Sequence, residues 1–197
     1  MGGFGWTVLV AAVVVVAWAV TAYNRLVVAR NRIANAFGQI DVQLKRRHDL
    51  VPNLVEVARG YMAHEAATLE AVIRARGAAS SAADRARAQP ADAATIGLLS
   101  QAESALGAQL GRLMMLSEAY PELKADAQML RLSEEITSTE NRIGFARQAY
   151  NDQVLEFNNL ASQFPDVLLA RSLGFAEAAM LESTTSAAER AVPQLRF

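Results

Sequence analysis

Side chains able to do chemistry gather in three places. Arg46-Arg47-His48-Asp49 forms a dense charged knot, with Pro52 and Asn53 close behind it. His64-Glu65 comes next. Further on, Glu134, Glu135 and Glu140 are followed by Arg147, Tyr150, Asn151 and Asn158. Paired carboxylates would suit proton transfer, and carboxylates with histidine would suit a metal. A carboxylate metal site in a helical bundle needs Glu-x-x-His on two helices, and His64-Glu65 has the wrong spacing. No G-x-G-x-x-G, Walker A, G-x-S-x-G or H-E-x-x-H run is present. With no cysteine, a thiolate zinc site, a disulfide framework and a cysteine nucleophile are excluded. The expectation is a protein that is not an enzyme and holds no cofactor or metal.

The same residues read better as contacts. Glu140 and Arg147 share a heptad face and are placed to pair with a neighbouring helix. Asn24, Asn141, Asn151, Asn158 and Asn159 are mediocre helix formers. Beside an apolar stripe they can bond side chain to backbone across helices and set register. The Arg46–Asp49 knot is either an ion-paired helix end or a subunit or lipid contact.

These groups need long helices to position them. The chain has 197 residues, abundant alanine, 11 glycines and 5 prolines, a composition that favours helix. Its net charge of −1 predicts no nucleic-acid partner. Leu26, Ile33 and Ile40 fall at seven-residue spacing, interleaved with Phe37, Leu44 and Val51, as a coiled-coil-like seam. Pro52 interrupts it, either as a kink or, with Asp49 as cap, as a break; the reading adopted is a break near 48–50. Helix then continues to about Arg76, and Gly77–Thr95 reads as a linker or frayed end. Asp92 is placed to cap a helix carrying Leu99, Leu106, Leu113 and Tyr120, which ends at Pro121. Met129, Ile136, Ile143, Tyr150, Phe157 and Phe164 repeat at sevens. They predict one helix from Glu122 to Phe164, roughly 64 Å long, and a shorter amphipathic segment from Asp166 to Glu182 follows.

Ahead of all this lies an apolar stretch, Phe4–Tyr23, without a charge until Arg25. Twenty helical residues reach roughly 30 Å, the thickness of a bilayer's hydrocarbon layer. Met1–Thr7 lacks the basic region of a cleaved signal peptide, so the stretch reads as a retained span. Arg25, Arg30, Arg32, Lys45, Arg46 and Arg47 follow it. The positive-inside rule then puts the N-terminus outside and the bundle in the cytoplasm, with Arg25, Arg30 and Arg32 near lipid head groups. The expected fold is all-α: an N-terminal transmembrane helix (1–24) continuous with a long-helix, antiparallel up-and-down four-helix bundle (25–182), then a tail (183–197).

Taken together, certain runs resemble a known family. They are Tyr23-Asn24-Arg25-Leu26-Val27, Ile40 to Val55 with its Arg46-Arg47-His48-Asp49-Leu50-Val51-Pro52-Asn53 core, and Ala75-Arg76. Glu118 to Ala125, Glu140-Asn141-Arg142-Ile143, Ala146 to Asn151, Phe157-Asn158, Phe164-Pro165, Gly174-Phe175 and Val192 to Phe197 complete them. The chain resembles the LemA family of bacterial membrane proteins over nearly its whole length. The resemblance implies a four-helix up-and-down bundle at the inner membrane and carries over no catalytic residue. Relatives in magnetosome-forming bacteria are associated with shaping an inner-membrane compartment. The expected role is therefore a homo-oligomeric scaffold of the membrane, contacting lipid. The alternative is a monomeric adaptor offering a bundle groove to a membrane-protein partner.

Overall fold

A computed structural model of the chain describes residues 3–181. The described residues form six α-helices: α1 (Gly3–Tyr61), α2 (Ala66–Ala88), α3 (Ala93–Ser117), α4 (Pro121–Ala125), α5 (Ala127–Ser162) and α6 (Asp166–Ser172). Among the described residues there is no strand. The four long helices run alternately up and down. α1 packs on α2 and most extensively on α5, and α2 packs on α3. The expected tail, from Ser183, lies outside the described residues.

α1 is one helix of 59 residues, roughly 88 Å long. Its first part is apolar enough to cross a membrane, and none of that stretch is buried within the protein. From Ala22 a buried stripe begins: Leu26, Ala29, Ile33, Phe37, Ile40, Leu44, Val51, Leu54 and Ala58. Each step is three or four residues, apart from the one across Arg47 and His48, so one face of the helix stays in the bundle.

The helix does not break at 48–50, contrary to the expectation; Pro52 lies inside it. Proline has no N–H for the carbonyl four residues back, which is that of His48. Arg76 of α2 supplies the missing donor, its Nε lying 3.0 Å from the His48 carbonyl oxygen. The backbone acceptor that would have ended the helix is satisfied from outside, and α1 runs on to Tyr61.

Three other boundaries differ from expectation. The helix read through to Arg76 is interrupted by a turn over Met62–Glu65, where the fully buried Met62 leaves helical geometry. The expected linker 77–95 is helical up to Ala88. Alanine is the best helix former, and Ala79, Ala82, Ala83 and Ala86 form a buried face rather than a flexible run. Only Gln89–Asp92 turns, and Asp92 caps α3 by accepting from the Thr95 N–H at 2.9 Å. The long helix expected from Glu122 is divided at Asp126. This residue accepts from the Gln128 and Met129 N–H groups at 2.9 Å and so caps α5. Those bonds, the Met129 one foremost, hold its carboxyl below the usual carboxylate value. α5 is thus 36 residues, roughly 54 Å.

The stripe of α5 also ends earlier than its heptads suggest. Phe157 is buried, but Phe164 is 82% exposed. After α6, Gly174 takes φ +74°, and the Phe175 N–H bonds the Ala170 carbonyl at 3.0 Å. Glycine is suited to that reversal because a Cβ is strained there. The amphipathic segment expected over Asp166–Glu182 is helical only in α6, and a strap outside any helix follows to Leu181.

Cross-links between α1 and the descending limb follow the antiparallel register. Tyr61 bonds Asp126, Arg46 faces Glu135, Arg32 pairs with Glu156, and Arg25 pairs with Asp166.

The carbonyl at His48 gives a direct test. Arg76→Ala should cost about 1–3 kcal/mol, the penalty of an orphaned buried acceptor. In a Pro52→Ala background, residue 52 regains its N–H and the loss should shrink. Urea unfolding of the four variants of this cycle in detergent measures the coupling.

Candidate functional site

The bundle core is two cores. One, nearer the apolar end of α1, contains Leu26 to Leu44 with Leu99, Ile143 and Tyr150. The other contains Val51 to Met62 with Leu106, Leu110 and Ile136. Between them lies a layer of charge. Arg47 and His48 are 5% and 4% exposed. Arg47 Nη1 lies 2.5 Å from Glu140 of α5 and 3.5 Å from Glu103 of α3, and His48 Nε2 lies 2.7 Å from the other oxygen of Glu103. Gly107 lies beside the guanidinium: a Cβ there would stand 3.5 Å from its Nη2, an ordinary van der Waals contact. Arg47 Nε and Glu103 Oε2 have no hydrogen-bond partner among the described residues.

This layer floors a cleft. α3 and α5 do not pack closely along their length, and between them lies a space of about 270 Å³. Leu99 and Glu103 line one wall, Ile136, Glu140 and Arg147 the other, and Ile40 and Arg47 the floor. Leu181, the last described residue, lies at its edge. The cleft has apolar walls, a buried cation and two carboxylates. Among the described residues no three His, Asp or Glu side chains gather as a metal site.

A second construction flanks the cleft. Asn158 accepts from the Ala178 N–H and donates to the Ala178 carbonyl, both at 2.9 Å. Asn151 does the same to Leu181, at 2.9 and 3.1 Å. Each side-chain amide thus replaces one residue of a pairing strand. Seven helical residues rise roughly 10.5 Å and three extended ones roughly 10 Å, so the two asparagines match the strap's repeat. Tyr150, next to Asn151 and fully buried, reaches the strap between these two anchors, with its hydroxyl 2.8 Å from the carbonyls of both Pro90 and Ala179. Burial pushes its phenol well above the usual value, so it stays a donor. Its ring meets Phe37 edge-on at 6.0 Å.

The residues singled out from the sequence therefore divide. Arg47, His48 and Glu140 converge in the charged layer, and Arg147 lines the same cleft. Arg46 and Asp49 face outward toward Glu135 and Arg76, and Asn53 is exposed. The knot stands roughly 33 Å along the rod from Arg25. Glu140 pairs with Arg47 of the neighbouring helix. Asn151 and Asn158 bond the backbone of the strap rather than that of another helix. Arg25 and Arg32, expected near lipid, are engaged by Asp166 and Glu156. Arg30 lies beside the α2–α3 turn, facing Asp92 and Glu177 across a separate cleft. Sequence reading missed Glu103 and the role of Arg76. Glu103 was detectable as a carboxylate four residues after Leu99 and three before Leu106, on the core face of α3. Arg76 becomes meaningful only once α2 is packed on α1.

The fold and site define an all-α bundle led by an apolar helix long enough to cross a membrane and organised around a buried charged layer. The chain belongs to the LemA family, whose family model matches residues 36–197. That family is not known as one of enzymes. No curated protein matches the chain.

Two variants test the layer. Arg47→Ala leaves Glu103 buried without its cation and should cost about 3–5 kcal/mol. Glu140→Ala removes a half-exposed partner and should cost no more than about 1 kcal/mol. Urea midpoints of the detergent-solubilised full chain give the order. For the strap, Asn158→Asp keeps the acceptor and loses the donor to the Ala178 carbonyl. Hydrogen exchange at residues 176–181 should accelerate while α3 and α5 stay protected.

Proposed function

We propose that the protein is a membrane-anchored helical scaffold that self-associates and organises or remodels the bilayer, with no catalytic activity. The observation that supports this reading is the unbroken α1. One helix carries both the apolar stretch and the face on which α2 and α5 pack. A flexible tether would let the bundle tumble. A continuous rod couples its orientation to the tilt of the span, which a membrane-organising assembly requires. In this reading the bundle lies on the cytoplasmic side of a bacterial inner membrane, following the basic residues after the span.

The cleft between α3 and α5 favours a second reading. It is large enough for a few side chains of a partner segment, and its charged floor would select among them. A monomeric adaptor would use it to hold another membrane protein.

The two readings part experimentally. A scaffold should run larger than a monomer in detergent and form ordered assemblies or curvature in lipid vesicles. A short Gly-Ser insertion after Arg25 should abolish the curvature while helical content persists. A protein that stays monomeric at all concentrations would overturn the scaffold. If Ser100→Trp, which fills the cleft, removes a cross-linked heterologous partner from a monomeric protein, the adaptor is supported instead.

A further inference from the structure

The corner between α5 and α6 presents apolar side chains where the bundle meets the end of the apolar stretch of α1. Phe164 is 82% exposed, Leu168 62% and Leu173 51%. A soluble bundle would turn such residues inward, and the same short segment does so with Ala170. The corner cannot swing away, because Asp166, 4% exposed, is tied to α1 at two points. It accepts from the Trp18 indole N–H at 3.2 Å and pairs with the Arg25 guanidinium. Just beyond α6, Phe175 packs edge-on against Tyr23 at 6.0 Å.

These ties set a depth. Trp18 lies five residues before Tyr23, roughly 7–8 Å back along the helix, within the stretch whose valines face outward. Arg25 lies just past it. The first residue of α6 is therefore held across the edge of that stretch. The Asp166 charge, costly at such a depth, is met there by a guanidinium and an indole N–H. Its neighbours Phe164 and Leu168 continue the exposed apolar surface of α1, where Val20 is 55% exposed. Arg171 is exposed on the same segment. Apolar residues beside a basic one suit a short element lying in a bilayer's interface.

We propose that this corner is a second membrane contact, in which Phe164, Leu168 and Leu173 enter the boundary between head groups and acyl chains beside the α1 span. The inference rests on α1 being a span. The occupant is lipid: the patch is continuous with the anchor's own apolar surface and is pinned at its end.

The absence of cysteine from the chain makes the test clean. Val10→Cys, Phe164→Cys, Leu168→Cys and Met115→Cys are made in the full-length protein, each at an exposed position. Each variant carries an environment-sensitive fluorophore and is reconstituted into phosphatidylcholine–phosphatidylglycerol vesicles whose acyl chains bear a nitroxide quencher. Met115 is a matched control: it is 72% exposed and apolar but lies at the far end of the bundle, roughly 50 Å from the span. Loss of emission at Val10, Phe164 and Leu168, with Met115 unaffected, is the expected result. Quenching at Val10 alone would overturn the second contact and leave the anchor standing. No quenching at Val10 would overturn the anchor itself, and the second contact with it.

Discussion

A buried guanidinium holds this bundle in register. Arg47 lies between two apolar cores and must keep carboxylates within reach, because an isolated charge at that depth is strongly disfavoured. Its partners, Glu103 and Glu140, come from α3 and α5. The cores on either side are made of repeating leucine, isoleucine and alanine, which would tolerate a slip of seven residues with modest loss. The charged layer would not. Moving α3 or α5 by two turns against α1 would leave Arg47 facing an apolar wall. A polar layer of this kind contributes specificity even where hydrophobic replacement would add stability. It also explains why α3 and α5 stand apart here: close packing of the two helices would squeeze charges whose partners all come from α1.

The same constraint governs the proline. Arg47 and His48 can point into the layer only while α1 remains helical through that turn, yet Pro52 removes the bond that would hold the His48 carbonyl. Arg76 resolves the conflict by donating from α2. Continuity of α1 is thus a tertiary property, conferred by a neighbouring helix. Because α1 is continuous, whatever fixes the bundle also fixes the orientation of its apolar end.

How much of this could be read from the residues depended on the type of signal. Heptad spacing located the core of α1 and α5 residue by residue, from Leu26 to Val51 and from Met129 to Phe157, because burial of one helical face imposes that period. Asp92 was legible as a cap for the same local reason. Boundaries were not. Pro52 reads as a breaker unless Arg76 is known to stand opposite, and the alanines of α2 look like a linker until their face is seen to be buried. Of the site, Arg47, His48 and Glu140 were visible as conspicuous charges. Glu103 was masked by an ordinary helical context, and its role depends on a contact 55 residues away in the chain. Asn151 and Asn158 were noticed as odd residues beside a stripe. Their partner was not, because an extended strap bonded through its backbone leaves no side-chain pattern.

That strap bears on the end of the rod nearest the apolar stretch. A single span sets where a bundle sits but leaves rotation about the span's own axis free. α5, α6 and the strap all lie to one side of α1, joined to it through Arg32, Arg25, Trp18 and Tyr23. Under the proposed second contact, the bilayer would be touched at two points that do not share an axis. Rotation would then bury or expose Phe164 and Leu168 and carry a free-energy cost. Asn158 and Tyr150 would pass that restraint to the strap and so to the edge of the cleft. The orientation of the cleft relative to the membrane would follow from side chains far below it. For a self-associating scaffold this matters more than affinity, since neighbouring bundles can meet face to face only if each presents the same face.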